Sequence, residues 1–255
     1  MIMNDILFLK MVDSTNRIAR EMGDLGKPHG FSVVAESQTA GRGRLGKEWL
    51  SLAGMGLCCT VLVRPKLDIE DYPKITLTAG LAVGLALEEI CHLEVQLKWP
   101  NDIYVGGRKC GGILVETSSL HKGTSHCFAL VGIGVNVNTD CAIFPIELQK
   151  IATSLFLETS KKHDVLTIFT RIRSQLLELL TQLETVGFAS ILDQWRKRDI
   201  LDGQWTSWVT PAGHVVYGES LGVDDTGILA IRDQTGKRHE VLSGDLRLAR
   251  RSPEV

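Results

Sequence analysis

Apolar residues fall at three- and four-residue spacing from Leu166 through Phe169, Ile172, Leu176, Leu180 and Leu183. That is the stripe of a long amphipathic helix, with Asp164 placed to cap it. From Ile75 to Leu87 the chain is apolar on every side, then meets Glu88 and Glu89. The run predicts a buried core helix opened by Pro73 and ending near His92, too short to span a bilayer. Ser14 or Thr15 is placed to cap a short helix through about Met22, and another, about Phe188 to Lys197, carries Trp195. Phe31–Glu36, Leu57–Val63, Val95–Trp99, Ile103–Val105, Ile113–Glu116 and Phe128–Val137 read as strands joined by short turns. After Asp199 short strands alternate with the turn signals Pro211-Ala212-Gly213, Asp224-Asp225-Thr226-Gly227 and Gln234-Thr235-Gly236. Five strands in so short a stretch suggest a small β-barrel similar to an SH3-like module. The expected class is α+β, with one domain over residues 1–199 and a second over 200–255.

Composition narrows the field of functions. The chain has 255 residues, 44% hydrophobic and 23% charged, the balance of a globule with a real core. A net charge of −2 gives no whole-molecule field for nucleic acid, so specific DNA binding is not expected. Six cysteines, none in a C-x-x-C pair, have apolar neighbours and read as buried reduced thiols rather than a metal site. With no basic, apolar leader, a cytoplasmic protein without membrane association is expected.

Three segments carry candidate chemistry. Ala40-Gly41-Arg42-Gly43-Arg44-Leu45-Gly46 places two guanidinium forks in a glycine-rich loop, suited to phosphate or carboxylate. The same residues also read as a solvated surface loop, and they lack the P-loop pattern. Lys98-Trp99-Pro100-Asn101-Asp102 ends a strand, because Pro100 cannot continue a ladder. Gly106-Gly107-Arg108-Lys109-Cys110-Gly111-Gly112 then returns as a hairpin that presents Lys109. Turn chemistry accounts for the glycines and Asn101 but not for two lysines and a carboxylate converging. Gly132-Ile133-Gly134-Val135-Asn136-Val137-Asn138 is a glycine-thinned strand without a dinucleotide fingerprint.

Taken with Ser14-Thr15-Asn16 and Glu36-Ser37-Gln38, these segments stand in the order and rough spacing of biotin protein ligases, and the sequence resembles that family strongly over residues 14 to about 140. The resemblance implies a mixed β-sheet catalytic domain of the biotin/lipoate ligase type with a small C-terminal SH3-like β-barrel. It implies ATP-dependent formation of biotinyl-5'-AMP and transfer of biotin to one lysine of a biotin carboxyl carrier protein or domain. It also implies Mg²⁺ with the triphosphate, and pairing of two copies through a sheet edge as one assembly open to the fold. Carried over by position, Ser14, Thr15, Asn16 and Gln38 look like binders of the biotin ring. Gly41, Arg42 and Arg44 look like the loop closing over biotin and the adenylate. Lys109 resembles the lysine that meets the biotin carboxylate and the α-phosphate, with Lys98 and Asp102 beside the reaction centre and Gly111 and Gly112 allowing close backbone approach. Trp49, Asn101 and Asn136 look like adenylate contacts. Lys47 stands where many members have a stronger basic fork, and no role transfers to Arg247 or Arg250. Ser14 comes too early for the N-terminal DNA-binding domain of some members, so a ligase-only form is expected. A lipoate or octanoate ligase of the same fold is the nearest alternative, and a non-catalytic binding module is the alternative of another class.

Overall fold

The computed structural model describes residues 2–3, 5–118, 127–210, 213–241 and 245–249. Gly244, Arg250 and the Pro211-Ala212 pair of the expected turn lie outside them.

Strands β1 (Ile2–Met3), β2 (Ile6–Val12), β3 (Ser32–Gln38), β4 (Gly56–Val63), β5 (Val95–Lys98), β6 (Asp102–Val105), β7 (Arg108–Thr117) and β8 (Ala129–Asn136) form one sheet. Its order is β1-β2-β3-β4-β8-β7-β6-β5. Strands β2 and β3 run parallel and the other neighbours antiparallel, so the α+β class and the mixed sheet are as expected. Strand β2 was not legible: its residues are half-buried or exposed, and Lys10 interrupts the apolar run.

Helices α1 (Thr15–Asp24), α2 (Tyr72–Cys91), α3 (Leu155–Thr159), α4 (Val165–Thr185) and α5 (Ala189–Arg196) follow the patterns that predicted them, α3 excepted. Asp164 caps α4 by accepting from the Thr167 amide at 2.8 Å. Ser14 stands at the N-cap of α1 but its hydroxyl caps nothing. Instead the Gln38 Oε1 accepts from the Thr15 amide at 2.8 Å, so a side chain from β3 satisfies the first turn. None of the described helices is long and apolar enough to cross a membrane.

Alternation along the central strands separates two faces. Val131, Ile133 and Val135 of β8 and Leu57, Cys59 and Val61 of β4 join the main core under α2 and α4. Leu62 and Leu130 point the other way, into a smaller cluster with Ala19 of α1. Helix α1 covers only part of that second face, and the rest stays open. The C-terminal strands β9 (Trp205–Val209), β10 (Val215–Val223), β11 (Leu229–Asp233), β12 (Arg238–Val241) and β13 (Asp245–Leu248) form an antiparallel sheet in the order β12-β11-β10-β9-β13. Its Trp208, Val223, Leu229 and Leu246 belong to the same apolar core as Leu97, Trp99 and Phe188.

The chain leaving α5 docks on the edge of the large sheet: Leu97 pairs in parallel with Asp199, and the Ile200 amide donates to the Leu97 carbonyl at 3.0 Å. There Asp199 accepts from the Leu201 amide through Oδ1, while its Oδ2 is shut from solvent without a partner. Burial, reinforced by nearby Asp202, pushes this carboxyl up to about 7. An acid whose folded-state value lies above its unfolded value of about 3.9 binds its proton more tightly when folded. The stability it contributes is whole below about pH 4 and is lost as pH rises through about 7. The melting temperature should therefore fall between pH 5 and pH 8. Asp199→Asn should flatten that fall and be the more stable protein at pH 8, measured by calorimetry across the range. Parallel pH profiles for the two proteins would refute the assignment.

Candidate active site

A cavity of about 690 Å³ opens on the uncovered sheet face. Ser14, Thr15, Asn16 and Gln38 line one end, and Lys98, Asn101, Asp102, Lys109 and Asn136 line the other. Arg42, Arg44 and Trp49 bring the glycine-rich loop into the wall. Of the residues given a role from sequence, Gly41 and Gly111 stay out of the lining; Gly111 falls on the other alternation of its strand, opposite Ile103 and Val135. A Cβ on Gly41 would meet the Trp49 carbonyl at 2.5 Å, and its own carbonyl accepts from the Trp49 amide at 2.9 Å, so Gly41 closes the loop on itself.

The floor is a strip of sheet from which side chains are missing. On the cavity face, β8 presents Gly132 and Gly134, and β7 presents Gly112. A Cβ on Gly134 would strike the Trp49 indole at 2.5–2.7 Å, and one on Gly132 would fall inside the Asn16 side chain. Lys109 reaches the same face through a register shift. Gly112 pairs with Asp102 and Gly111 with Ile103, but Lys109 then pairs with Tyr104, leaving Cys110 as the extra residue of a bulge. Without it, strict alternation would put Lys109 and Gly112 on opposite faces. The Lys109 ammonium lies 2.5 Å from the Asp102 Oδ1 and 5.9 Å from the Trp49 ring centroid.

The Arg44 guanidinium donates to the Asn101 Oδ1 at 3.3 Å, and Asn101 is itself pinned by donating to the Ile113 carbonyl at 2.9 Å. Burial lowers the Arg44 value against the opposing pull of Asp102, yet a guanidinium keeps its charge at neutral pH. Arg42 donates to the Glu116 carboxylate at 3.3 Å. Both loop arginines thus hold internal acceptors, and an entering anion competes for them. Lys98 donates to the Leu246 carbonyl of β13 at 2.8 Å, and the Trp99 indole donates to the Gly227 carbonyl at 3.0 Å. Asn136 spends its amide on the Thr153 carbonyl at 2.9 Å.

Six cations line the cavity among the described residues, Arg42, Arg44, Lys47, Lys98, Lys109 and Arg247, against the carboxylates Glu48 and Asp102. A protein of net charge −2 therefore carries a locally positive chamber, which suits a polyanion. The opposite end holds the uncharged groups of residues 14–16 and 38, which suits a neutral polar ring. Sequence reading missed three parts of this site. Phe144, Leu148, Ile151 and Ala152 form an apolar wall, fixed where the Lys109 amide donates to the Ile151 carbonyl at 2.9 Å. Arg247 and Leu246 enter from the C-terminal sheet. Thr60 and Glu116 lie beneath the uncharged end, Thr60 within the apolar run of β4 and Glu116 just after the apolar run Ile113–Val115 of β7. A polar residue on the opposite alternation from Val61 or Val115 was the only available signal.

The model of the biotin/lipoate A/B protein ligase family matches residues 8–138. The bifunctional ligase/repressor BirA of Bacillus subtilis is 33% identical over 243 residues, covering 95% of this chain and 74% of that protein. The biotin--[acetyl-CoA-carboxylase] ligase of Paracoccus denitrificans is 31% identical over 235 residues, covering 90% of this chain and 95% of that one. Among solved structures, the biotin protein ligase from Aquifex aeolicus in complex with biotin and ATP aligns with a TM-score of 0.83 at 31% identity, covering 97% of this chain and 100% of that chain.

Gly134→Ala tests the cleared floor. A loop indole yields more cheaply than a central strand, so the variant should fold and push Trp49 outward. The Trp49 emission, taken as the difference from Trp49→Phe, should shift to the red. An unchanged difference spectrum would mean that the strand gives way instead.

Proposed function

The chain belongs to the biotin/lipoate A/B protein ligase family, and from that premise we infer that it is a biotin protein ligase, which activates biotin with ATP and transfers it to a lysine of a biotin carboxyl carrier protein. The observation that carries the reading is one cavity with two chemically opposite ends. The cationic end, with Arg44 and Lys109, suits the phosphates and the carboxylate, and the uncharged end around Thr15 and Gln38 suits the ureido ring. A lipoate ring has no N–H or carbonyl to satisfy those groups, and unpaired polar groups discriminate strongly against such a ligand.

A carboxylate approaching an α-phosphate meets like-charge repulsion. Lys109, held over the bare backbone at Gly112, and Arg44, fixed through Asn101, are the cations we assign to offset it. The carboxylate oxygen bonds to the α-phosphorus, pyrophosphate leaves, and the mixed anhydride is biotinyl-5'-AMP. The carrier's lysine amine then attacks the acyl carbon, AMP leaves, and the amine gives up a proton. Asp102 is our candidate to receive it, since its Oδ1 already holds a proton-bearing ammonium at 2.5 Å. Lys98 stays beside the reaction centre in this reading, and one of its three N–H donors, given to the Leu246 carbonyl, also ties the cavity to the C-terminal sheet. Mg²⁺ would enter with the triphosphate. No cluster of three metal-ligating side chains stands among the described residues, so phosphate oxygens and water would supply most of its ligands. The loop of residues 41–46 is placed to keep water from the labile anhydride.

We retain the division into a catalytic domain, 1–199, and a second domain, 200–255, as part of this proposal. Removing the second domain would strip Lys98 and Trp99 of their acceptors and bare the apolar surface of Leu97 and Phe188. A chain ending at Arg198 should therefore lose adenylation as well as transfer.

Incubation with ATP, a carrier domain and labelled biotin or lipoate tests the reading. Label should reach the carrier from biotin alone and disappear when its acceptor lysine is replaced by arginine. Label from lipoate alone would make the protein a lipoate ligase, and label from neither would make it a binding module. Lys109→Ala should slow biotin-dependent ATP–pyrophosphate exchange by at least about thirtyfold, corresponding to about 2 kcal/mol for one charged transition-state donor. A wild-type exchange rate in that variant would remove Lys109 from the chemistry.

A further inference from the structure

Beneath the uncharged end of the cavity runs a closed line of hydrogen bonds. The Glu116 Oε2 accepts from the Asn16 amide at 2.8 Å and from Arg42 at 3.3 Å. The Thr60 hydroxyl donates to the Asn16 Oδ1 at 2.6 Å, and its oxygen lies 2.9 Å from the Thr15 hydroxyl oxygen. Thr15 in turn lies 3.1 Å from the Gln38 Oε1. Thr15, Asn16 and Thr60 are 3%, 4% and 0% exposed, so water does not substitute for the links among these three.

The direction of the protons along this line is not free. A carboxylate only accepts, so Asn16 must turn its NH₂ toward Glu116 and its oxygen toward Thr60. That oxygen has no proton to give, so the single Thr60 proton goes to it. Thr15 must then direct its own proton inward, to Thr60 or to the Gln38 Oε1. In either case the Thr15 hydroxyl keeps lone pairs only for a ligand in the cavity that this residue lines. The same Asn16 nitrogen also lies 3.5 Å from the Leu114 carbonyl, too far to hold the amide by itself, so without an obligatory acceptor at position 116 Asn16 could turn over. Thr60, able both to donate and to accept, would follow, and Thr15 could present a proton instead.

We propose that Glu116 is a positioning residue that sets the polarity of this relay, so that Thr15 acts as an obligatory acceptor and the site selects a ring bearing an N–H donor. The proposal rests on the biotin reading and deepens it. The clearance at Gly132 belongs to the same arrangement, since any side chain there would displace the Asn16 amide.

The test compares kcat/KM in ATP–pyrophosphate exchange for biotin and for analogues methylated at either ureido nitrogen. The wild-type protein should prefer biotin over one of the two by at least tenfold. Glu116→Gln keeps the size of the side chain but offers Asn16 either an oxygen or an NH₂. In it the preference should shrink to within about threefold, through a higher KM for biotin, while kcat changes less than about threefold. Thr60→Val, which cuts the relay at another link without touching Glu116 or Arg42, should have the same effect, and Thr60→Ser should restore the preference. A merely structural role for Glu116 would lower kcat and stability without changing the ratio. Wild-type indifference to both methylations, or a ratio unchanged in Glu116→Gln and Thr60→Val, overturns the proposal. Absence of biotin-dependent exchange in the wild-type protein would instead count against the biotin reading.

Discussion

Every second residue of a paired strand must point into whatever lies on that face of the sheet. In the centre of this sheet one face of β4 and β8 is packed under two helices, so its residues must be large and apolar, as Leu57, Val61, Val131 and Ile133 are. The opposite face has to stay empty enough for a ligand while the same strands remain in register. The chain meets both demands by alternating Val131 and Ile133 with Gly132 and Gly134. Glycine weakens a strand by about 0.5–1 kcal/mol relative to alanine, and the packed face more than offsets that cost. The position of Trp49, the approach of Asn16 and the resting place of Lys109 over Gly112 all depend on this cleared strip.

Lys109 shows how a small irregularity assigns chemistry. Its backbone is pinned on both sides: its amide donates to the Ile151 carbonyl, and its carbonyl accepts from the Thr153 amide, each at 2.9 Å. The bulge at Cys110 then turns its side chain onto the ligand face, where Asp102 waits on the neighbouring strand. A lysine has four rotatable carbons and pays entropy to be held. Fixing its backbone, giving it a carboxylate and laying it beside an aromatic face all reduce the freedom it still has to lose when a substrate anion arrives.

How much of this was legible follows from sequence distance. Periodicity found α4, whose buried stripe can be read within the element, and an unbroken apolar run found α2, which is buried on most sides. The GRGRLG and KWPND segments drew attention because cations next to turn formers are unusual, and both do line the cavity. Thr60 and Glu116 escaped notice because their partners lie far along the chain: Thr60 meets Asn16 at a separation of 44 residues, and Asn16 meets Glu116 at 100. No local pattern encodes a register between strands so far apart. The wall at residues 144–152 escaped for another reason, since it carries neither helical nor alternating periodicity and gains its shape from docking on Lys109. The hydroxyl of Ser14 was a sound candidate for capping α1, yet a glutamine from β3 took the first-turn amide instead.

The KWPND segment also explains why the C-terminal sheet and the cavity belong together. Two successive residues of that motif, Lys98 and Trp99, donate to backbone carbonyls of the C-terminal domain, at Leu246 in β13 and at Gly227 in the turn between β10 and β11. The next two, past Pro100, turn back to the cavity, where Asn101 holds Arg44 and Asp102 holds Lys109. The acceptors at Leu246 and Gly227 are main-chain groups, so what the C-terminal sheet must preserve at this contact is backbone position rather than side-chain identity. From β13, Leu246 and Arg247 also stand in the cavity wall. A displacement of that sheet would pull first on Lys98 and Trp99, and through the rigid turn at Pro100 on the two groups that orient Arg44 and Lys109. The motif is therefore a mechanical link between the two sheets as much as a source of catalytic charge.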